Sequence, residues 1–285
     1  MTDVYLNGTY LPPAEARVPV MDRGFLFGDG VYEVIPVYSR RPFRLDEHLT
    51  RLDSSLAGIR LANPHTREEW RAIVEGVVAR GEWDDQSVYL QVTRGPMAQR
   101  NHAFPKEVTP TVLAMTEALV TPPPEQRAAG VAAVSSVDFR WLRCDLKATS
   151  LLANCLLRQI AVDAGCVETL LFRDGFLTEG AASNIFVVKD GVLLAPPKNH
   201  LMLPGITYDV VLELAAAWDL PHAVRDITAA EVRAADELWM SSSTKEVLPI
   251  VTLDGHPVGS GRPGPVFAAM YGWYQDFKTT VMRRG

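Results

Sequence analysis

The sequence is poor in lysine and cysteine, and it contains no long hydrophobic run. Of its 28 basic residues only six are lysines, and there are three cysteines in 285 residues. No apolar run approaches the ~18 residues of a membrane span, and the chain opens on the strand-like segment Val4-Tyr5-Leu6-Asn7-Gly8 without a basic leader. These absences argue against a membrane span and a signal peptide, and they predict a cytoplasmic protein.

The net charge and the spacing of cysteines and histidines indicate which kinds of ligand the protein binds. The formal charge of -6 is spread along the chain, so no basic face is offered to nucleic acid or to an anionic membrane. Cys144, Cys155 and Cys166 are odd in number and fit neither a disulfide framework nor a zinc site, and the histidines show no metal spacing. We therefore expect small-molecule partners and no metal.

The pattern along the chain predicts two domains of the α/β (α+β) class, with mixed sheets and flanking helices. Consecutive prolines after Thr121 indicate a linker at 121–125, between a smaller domain at 1–120 and a larger one at 126–285. Asp174-Gly175 and Asp190-Gly191 each lie between β-like runs and predict tight hairpins. A capping box of Thr66 and Glu69 starts one of the helices. The predicted strands lie at 3–6, 31–38, 88–94, 111–117, 131–137, 168–172, 184–188 and 237–241, and the helices at 46–60, 66–80, 149–164, 207–218, 228–234 and 265–280.

Lys147 is the candidate nucleophile. It precedes an apolar helical segment, whereas four of the other lysines lie in turns, loops or the polar C-terminal end. Desolvation or a neighbouring cation lowers the pKa of an amine enough for it to form an imine near neutral pH, and Arg140 and Arg143 are close in sequence. The alternative is a structural lysine at the end of a strand.

Two segments could bind a phosphate, although neither a P-loop nor a dinucleotide fingerprint is present. Leu203-Pro204-Gly205-Ile206-Thr207 opens a helix, where free amides and a hydroxyl suit a phosphate dianion. The run Ser241-Ser242-Ser243-Thr244 follows a strand and supplies further hydroxyls. Each could instead be an ordinary N-cap or polar turn.

A carboxylate and a basic loop complete the set of candidate residues. Glu179 precedes the small residues Gly180-Ala181-Ala182-Ser183, so it could hold a protonated ring nitrogen or could be an ordinary turn residue. Arg100 and His102, two residues apart in a loop, could bind a carboxylate or form a solvated basic loop. Together, these residues offer an amine, a carboxylate for a ring nitrogen, a phosphate-binding helix N-terminus and a basic pair for a substrate carboxylate. This combination predicts a pyridoxal 5'-phosphate site.

The same residues resemble the fold type IV, or class IV, aminotransferases, most closely the D-amino acid aminotransferases. The resemblance covers nearly the whole chain and follows ordered blocks, which are 22–33, 47–52, the segment around Lys147, Thr178-Glu179-Gly180, Pro204-Gly205-Ile206-Thr207 and Ser242-Ser243. It implies the two-domain type IV fold, pyridoxal 5'-phosphate as cofactor, and amino transfer from a D-amino acid such as D-alanine to a 2-oxo acid such as 2-oxoglutarate in ping-pong half-reactions.

The resemblance also implies a role for each matching residue. Lys147 would form the internal aldimine and then move a proton between the substrate and the cofactor, while Glu179 would pair with the ring nitrogen. The phosphate would be held by Arg51, Ile206, Thr207, Ser242 and Ser243. Tyr32, with Arg100 and His102 from a neighbouring subunit, would bind the substrate carboxylate, which implies a homodimer with a shared active site.

The chain departs from the family pattern at Ser150, where an asparagine is frequent, and at Ala181 and Ala182, where hydroxyl residues are frequent. Within the fold, the alternatives are a branched-chain L-amino acid aminotransferase, an (R)-amine transaminase and an aminodeoxychorismate lyase. Outside it they are a cofactor-independent lysine-imine lyase and a binding protein for a carboxylated metabolite.

Overall fold

The structure is a computed structural model that describes residues 2–284, and the chain divides into two compact units. The first unit comprises 2–119, Leu146–Leu151 and 282–284, and the second comprises Val120–Asp145 and Leu152–Val281. The short segment around Lys147 thus belongs to the unit formed by the N-terminal residues. The assignment of cofactor binding to one domain stays a prediction.

The first unit is built on an antiparallel sheet covered by two long helices. Its core joins Leu49, Leu52 and Leu56 from one helix with Trp70 and Val74 from the other against the apolar face of the sheet. In the described residues the sheet has six strands in the order β2-β1-β6-β5-β3-β4. The elements are β1 (Val4–Leu6), β2 (Thr9–Leu11), α1 (Arg23–Phe27), β3 (Gly30–Tyr38), β4 (Arg41–Pro42), α2 (Leu45–Gly58), α3 (Arg67–Arg80), β5 (Gln86–Thr93) and β6 (Thr111–Ala118).

The second unit carries a mixed sheet. Its main path runs β12-β11-β10-β13-β14-β7-β8-β9, with β15 paired to β14, and the β14–β7–β8 strands are parallel. Apolar side chains from the sheet and the flanking helices form its core. The elements are α4 (Pro124–Ala129), β7 (Val131–Val137), α5 (Leu152–Asp163), β8 (Glu168–Arg173), β9 (Phe176–Gly180), β10 (Asn184–Lys189), β11 (Val192–Ala195), α6 (Ile206–Ala217), β12 (His222–Val224), α7 (Ala229–Arg233), β13 (Glu237–Ser242), β14 (Glu246–Leu253), β15 (His256–Pro257), α8 (Pro265–Phe277) and a π-helical turn at Lys278–Met282.

The predicted α/β fold with sheets and flanking helices is confirmed, one predicted helix start needs correction, and several strands, β14 among them, were not predicted. The helix predicted from residue 149 begins at Leu152, because the Thr149 amide donates to the Gly30 carbonyl and holds the chain extended. Strand β14 was not predicted, because Pro249 interrupts its run of strand-forming residues. Pairing of β14 with β7 starts at Ile250, after the proline.

None of the helices in the part of the chain that the structure describes is long and apolar enough to cross a membrane.

Candidate active site

Lys147 lies on an extended segment beside β3. Its carbonyl accepts a hydrogen bond from the Tyr32 amide (2.9 Å), its own amide donates to Ser55 Oγ (3.1 Å), and Ala148 forms a β-bridge with Val31. The half-buried amine lies 4.2 Å from the centre of the Tyr32 ring. The structure therefore brings the candidate nucleophile and one predicted substrate-binding residue into contact within a single unit.

A buried ionic network lies beside this segment. Glu33 of β3 accepts from Arg51 Nε (2.8 Å) and Nη2 (2.7 Å), and its second oxygen is 2.7 Å from His48 Nδ1. Burial raises the pKa of Glu33, but the Arg51 charge and the hydrogen bonds from Arg51 and His48 outweigh it and lower this pKa to about 2. Burial lowers the pKa of His48, against the opposite effect of Glu33. Glu33 thus holds the predicted phosphate ligand Arg51 in a fixed orientation.

Tyr89 and Gln91, which lie beside Tyr32 on the sheet, were not predicted as residues of the site. Tyr89 of β5 stacks on Tyr32 with 5.6 Å between ring centres, and its hydroxyl donates to Gln91 Oε1 (2.6 Å). Burial, and secondarily Tyr32, raise the pKa of Tyr89 to about 12, so the phenol stays neutral. Side chains two residues apart on a strand lie on the same face of the sheet, so Tyr89 and Gln91 of β5 share a face. Gln91 pairs in register with Tyr32, and this alternation could have identified both residues from the sequence.

The loop that follows β5 carries the two predicted carboxylate-binding residues. Arg100 and His102 are exposed, and both contact the ring of Phe27: the guanidinium carbon of Arg100 lies 5.0 Å from its centre, and the imidazole stacks on it at 5.2 Å. Arg94, in the same sequence run, is instead buried and forms an ion pair with Asp29. Arg100 and His102 are therefore the basic side chains of this run that remain accessible to a ligand.

In the second unit, Glu179 is a buried carboxylate with several donors. Arg140 Nη1 donates to Oε1 (2.5 Å), while the Leu203 amide (3.2 Å) and Asn184 Nδ2 (3.3 Å) donate to Oε2. Burial raises the pKa of Glu179 to about 7, against the lowering effects of the Arg140 charge and the hydrogen bonds. A carboxylate held this way can ionise when a cationic partner approaches.

The two arginines expected to lower the pKa of Lys147 are both paired with acids. Arg140 binds Asp138 and Glu179, and Arg143 binds Asp145 on the exposed face. Their positive charges are therefore balanced within their own unit. An effect of these two arginines on the pKa of Lys147 stays a prediction.

The N-terminus of α6 is joined to Glu179 through Asn184. Asn184 Nδ2 also donates to the Leu203 carbonyl (3.0 Å), and a Cβ added at Gly205 would lie 2.0 Å from Asn184 Oδ1. Gly205 is the N-cap and no side chain caps the helix, so the first amides, those of Ile206 and Thr207, are available to an anion. A glycine is required here because the asparagine occupies the space of its side chain.

The predicted hydroxyl turn starts at the same end of the sheet. Ser241 pairs in register with Asn184, and Ser242 Oγ accepts from the Lys245 amide (3.1 Å), which shapes the turn that contains Ser243. Lys245 Nζ also lies 3.2 Å from Glu168 Oε2, a fully buried carboxylate. The structure thus gathers Glu179, the α6 N-terminus and the start of the serine turn at one end of the sheet.

Among the described residues, no group of three or more His, Cys, Asp or Glu could hold a metal ion. Taken unit by unit, the first unit holds the Lys147 amine beside the Tyr32 ring, and the second holds a buried carboxylate and a helix N-terminus without a side-chain cap.

Comparison with known proteins identifies the class. A family profile described as "Amino-transferase class IV" matches residues 30–253. The chain belongs to the class IV aminotransferases, and the resemblance noted from its sequence is confirmed.

Individual relatives fall into two groups. The chain is 41% identical to the D-alanine aminotransferase of Bacillus licheniformis, over 92% of each chain, and 38% identical to that of Listeria monocytogenes serotype 1/2a (strain 10403S), over 96% of this chain and 95% of the relative. Among solved structures, the branched-chain amino acid aminotransferase of Escherichia coli is 26% identical with a TM-score of 0.88, covering 100% of this chain and 96% of the other. The T.th. branched-chain enzyme with pyridoxamine 5'-phosphate is 27% identical with a TM-score of 0.90, covering 99% and 95%.

Proposed function

We propose that the enzyme transfers the amino group of a D-amino acid such as D-alanine to a 2-oxo acid such as 2-oxoglutarate. The observation that carries this proposal is the similarity to D-alanine aminotransferases. Identity with them is 38–41% over more than nine-tenths of this chain. Tyr32, Arg100 and His102 add support, because they are the residues that the resemblance assigns to carboxylate binding.

The proposed cofactor is pyridoxal 5'-phosphate, and the residues present fit it. The fit rests on the N-terminus of α6, which has no side-chain cap on its first amides, and on a buried carboxylate joined to it through Asn184. When bound, the cofactor supplies an aldehyde that condenses with amines and a ring that withdraws electrons from the substrate Cα. Ile206, Thr207, Ser242, Ser243 and Arg51 would hold the phosphate.

Lys147 and Glu179 would carry the chemistry. The Lys147 amine would attach to the cofactor in the resting enzyme and would then move a proton between the substrate Cα and the cofactor C4′. Glu179, which accepts hydrogen bonds from Arg140 and two further donors, would hold the proton on the ring nitrogen. Its pKa of about 7 fits that role, because pairing with a cation favours the ionised form.

The proposal includes a homodimer with a shared active site and a cytoplasmic location. Helix α5 presents three apolar side chains four residues apart, Leu152, Leu156 and Ile160, with exposed fractions of 74%, 53% and 38%. Such a stripe on a helix suits contact with a second copy of the chain. The three cysteines are free thiols, as suits a reducing compartment.

The proposal is tested by a spectrum and a substrate comparison. The purified protein should be yellow, and its visible absorbance should shift on addition of D-alanine. With 2-oxoglutarate as acceptor, D-alanine should yield pyruvate and L-alanine should not. Exclusive turnover of L-leucine would favour the branched-chain alternative, and a colourless protein that gains no absorbance with added cofactor would favour a binding protein.

Substitution of the two central residues gives a second test. Lys147→Ala should lose both multiple-turnover transamination and the resting absorbance. Glu179→Gln should keep the bound cofactor but lower kcat by about tenfold or more, because a neutral amide cannot stabilise a charged ring nitrogen. Multiple turnover by Lys147→Ala at the wild-type rate would contradict the proposal.

A further inference from the structure

Arg23, at the start of α1, is a buried arginine whose guanidinium is surrounded by carbonyl oxygens. Its exposed fraction is 3%. Nη1 donates to the carbonyls of Asn101 (2.6 Å) and Ala103 (3.3 Å), and Nη2 donates to that of His102 (3.1 Å). Three consecutive carbonyls therefore point inward at one cation. The backbone at 101–103 wraps around Arg23, and its side chains face outward.

The guanidinium is itself fixed by a carboxylate that it shares with a second arginine. Arg23 Nε donates to Asp29 Oδ2 (2.7 Å), and Arg94 donates to the same carboxylate through Nε (2.8 Å) and Nη2 (3.0 Å). Phe104, at the end of the turn, covers Arg94, with 3.7 Å between the guanidinium carbon and the ring centre. The carbonyls of 101–103 and the Phe104 ring thus contact the same ionic group, formed by Arg23, Asp29 and Arg94.

One aromatic ring links Arg23 to the outward-facing side chains. The guanidinium carbons of Arg23 and Arg100 lie 4.9 Å and 5.0 Å from the centre of the Phe27 ring, and the His102 ring stacks on Phe27. Asn101 Oδ1 accepts from the Ala103 amide (3.0 Å), which closes the turn. Helix α1 therefore contacts the turn twice: Arg23 binds its backbone carbonyls, and Phe27 contacts the side chains of Arg100 and His102.

We infer that Arg23 is a positioning residue that holds the 100–103 turn so that Arg100 and His102 can bind a substrate carboxylate; this rests on the proposed function of those two residues. Lysine cannot replace it, because its single ammonium lacks the planar fork needed to reach three carbonyls and a carboxylate at once. The effect falls on substrate binding and not on the chemical step.

The test compares Arg23→Lys with a matched control, Arg40→Lys. Arg40 also binds several backbone carbonyls, those of Val78, Ala79, Gly81 and Trp83, but these belong to the end of α3 and the residues that follow it. In the holoenzyme, Arg23→Lys should raise KM for D-alanine about tenfold with little change in kcat, the pattern of lost uniform binding. Arg40→Lys should leave KM unchanged. The visible spectrum should be that of the wild type in both.

Two further measurements keep the inference testable if Arg23→Lys folds poorly: the kinetics of Phe27→Leu, and hydrogen exchange measured without substrate. Phe27→Leu removes the ring that Arg23, Arg100 and His102 all contact, and it should raise KM in the same way while leaving the hydrogen-bonding groups of Arg23 intact. Hydrogen exchange of a peptide covering 98–106 should be faster in Arg23→Lys than in the wild type or Arg40→Lys, because the carbonyls lose their common donor.

The outcomes separate this inference from the proposed function. If Arg100→Met raises KM but Arg23→Lys raises it no more than Arg40→Lys does, the inference is overturned and the carboxylate-binding role of Arg100 stands. Unchanged exchange at 98–106 in Arg23→Lys overturns it regardless of substrate. If the wild type does not turn over D-alanine, the proposed substrate and the carboxylate role fail together, and the exchange data still decide whether Arg23 holds the turn.

Discussion

Replacing Gly205 with alanine should destabilise the enzyme through one side chain, that of Asn184. Gly205 has φ -71° and ψ 136°, which alanine adopts without strain, so the backbone contributes no penalty. The new Cβ would lie 2.0 Å from Asn184 Oδ1, and this buried amide would have to move. Movement breaks its hydrogen bonds to the Leu203 carbonyl and to Glu179 Oε2.

The magnitude follows from those bonds. Losing two buried hydrogen bonds, one of them to a carboxylate, costs about 2–4 kcal/mol. The lower entropy of the unfolded alanine chain returns about 0.4–1 kcal/mol. Gly205→Ala should therefore lower the free energy of unfolding by roughly 1–3.5 kcal/mol, which urea denaturation of the cofactor-free protein can measure. Cofactor affinity should fall as well, because Asn184 joins the helix terminus to Glu179.

The control and the double mutant make the reasoning refutable. A Cβ at Gly272 in α8 meets nothing within 4 Å, so Gly272→Ala should be neutral or stabilise by about 0.5–1 kcal/mol. In an Asn184→Ala background the clash is gone, so Gly205→Ala should add almost no further loss. The explanation is wrong if Gly205→Ala matches Gly272→Ala, or if its full penalty persists without the asparagine side chain.

Three further predictions concern buried charges. The pKa of Glu33 is lowered from 4.5 to about 2, so its contribution to stability is present above pH 4.5 and is lost as pH falls toward 2. Glu33→Gln should remove about 3 kcal/mol of pH-dependent stability, seen as a flatter acid-denaturation curve; an unchanged curve would contradict this. The pKa of Glu179 is raised from 4.5 to about 7, so stability of the cofactor-free protein should fall as pH rises through that window, and Glu179→Gln should abolish this slope. Lys245→Met leaves the fully buried Glu168 without its cation and should lower the free energy of unfolding in urea by about 1–3 kcal/mol, partly restored by adding Glu168→Gln; full stability of the single variant would show the pair to be neutral.

Local sequence chemistry predicted the parts of the fold that depend on near neighbours. The Thr66 and Glu69 capping box forms as expected, because both partners lie within one helical turn. Asp174-Gly175 and Asp190-Gly191 take positive φ values in their hairpins, as tight turns require. Such features involve residues three or fewer apart, so they depend little on distant contacts.

Features that depend on contacts between residues far apart in the chain could not be predicted from the sequence. The start of α5 moved to Leu152 because Thr149 bonds to Gly30, more than a hundred residues earlier. Arg140, which the sequence shows only as a near neighbour of Lys147, binds the buried Glu179 39 residues further along the chain. The contacts of Arg23 could not be predicted, since nothing local indicates that its side chain meets the carbonyls of residues 101–103.

The family and the residue types of the site could be predicted from the amino-acid sequence, because a lysine, a carboxylate, a helix N-terminus and a hydroxyl turn each carry their chemistry in their own side chains and amides. The partners that tune these residues are seen only in the folded chain. The Glu33, His48 and Arg51 network and the link from Glu179 through Asn184 to Gly205 join residues from different strands and helices. Pairings of that kind depend on how strands and helices pack, and packing is fixed by the whole fold.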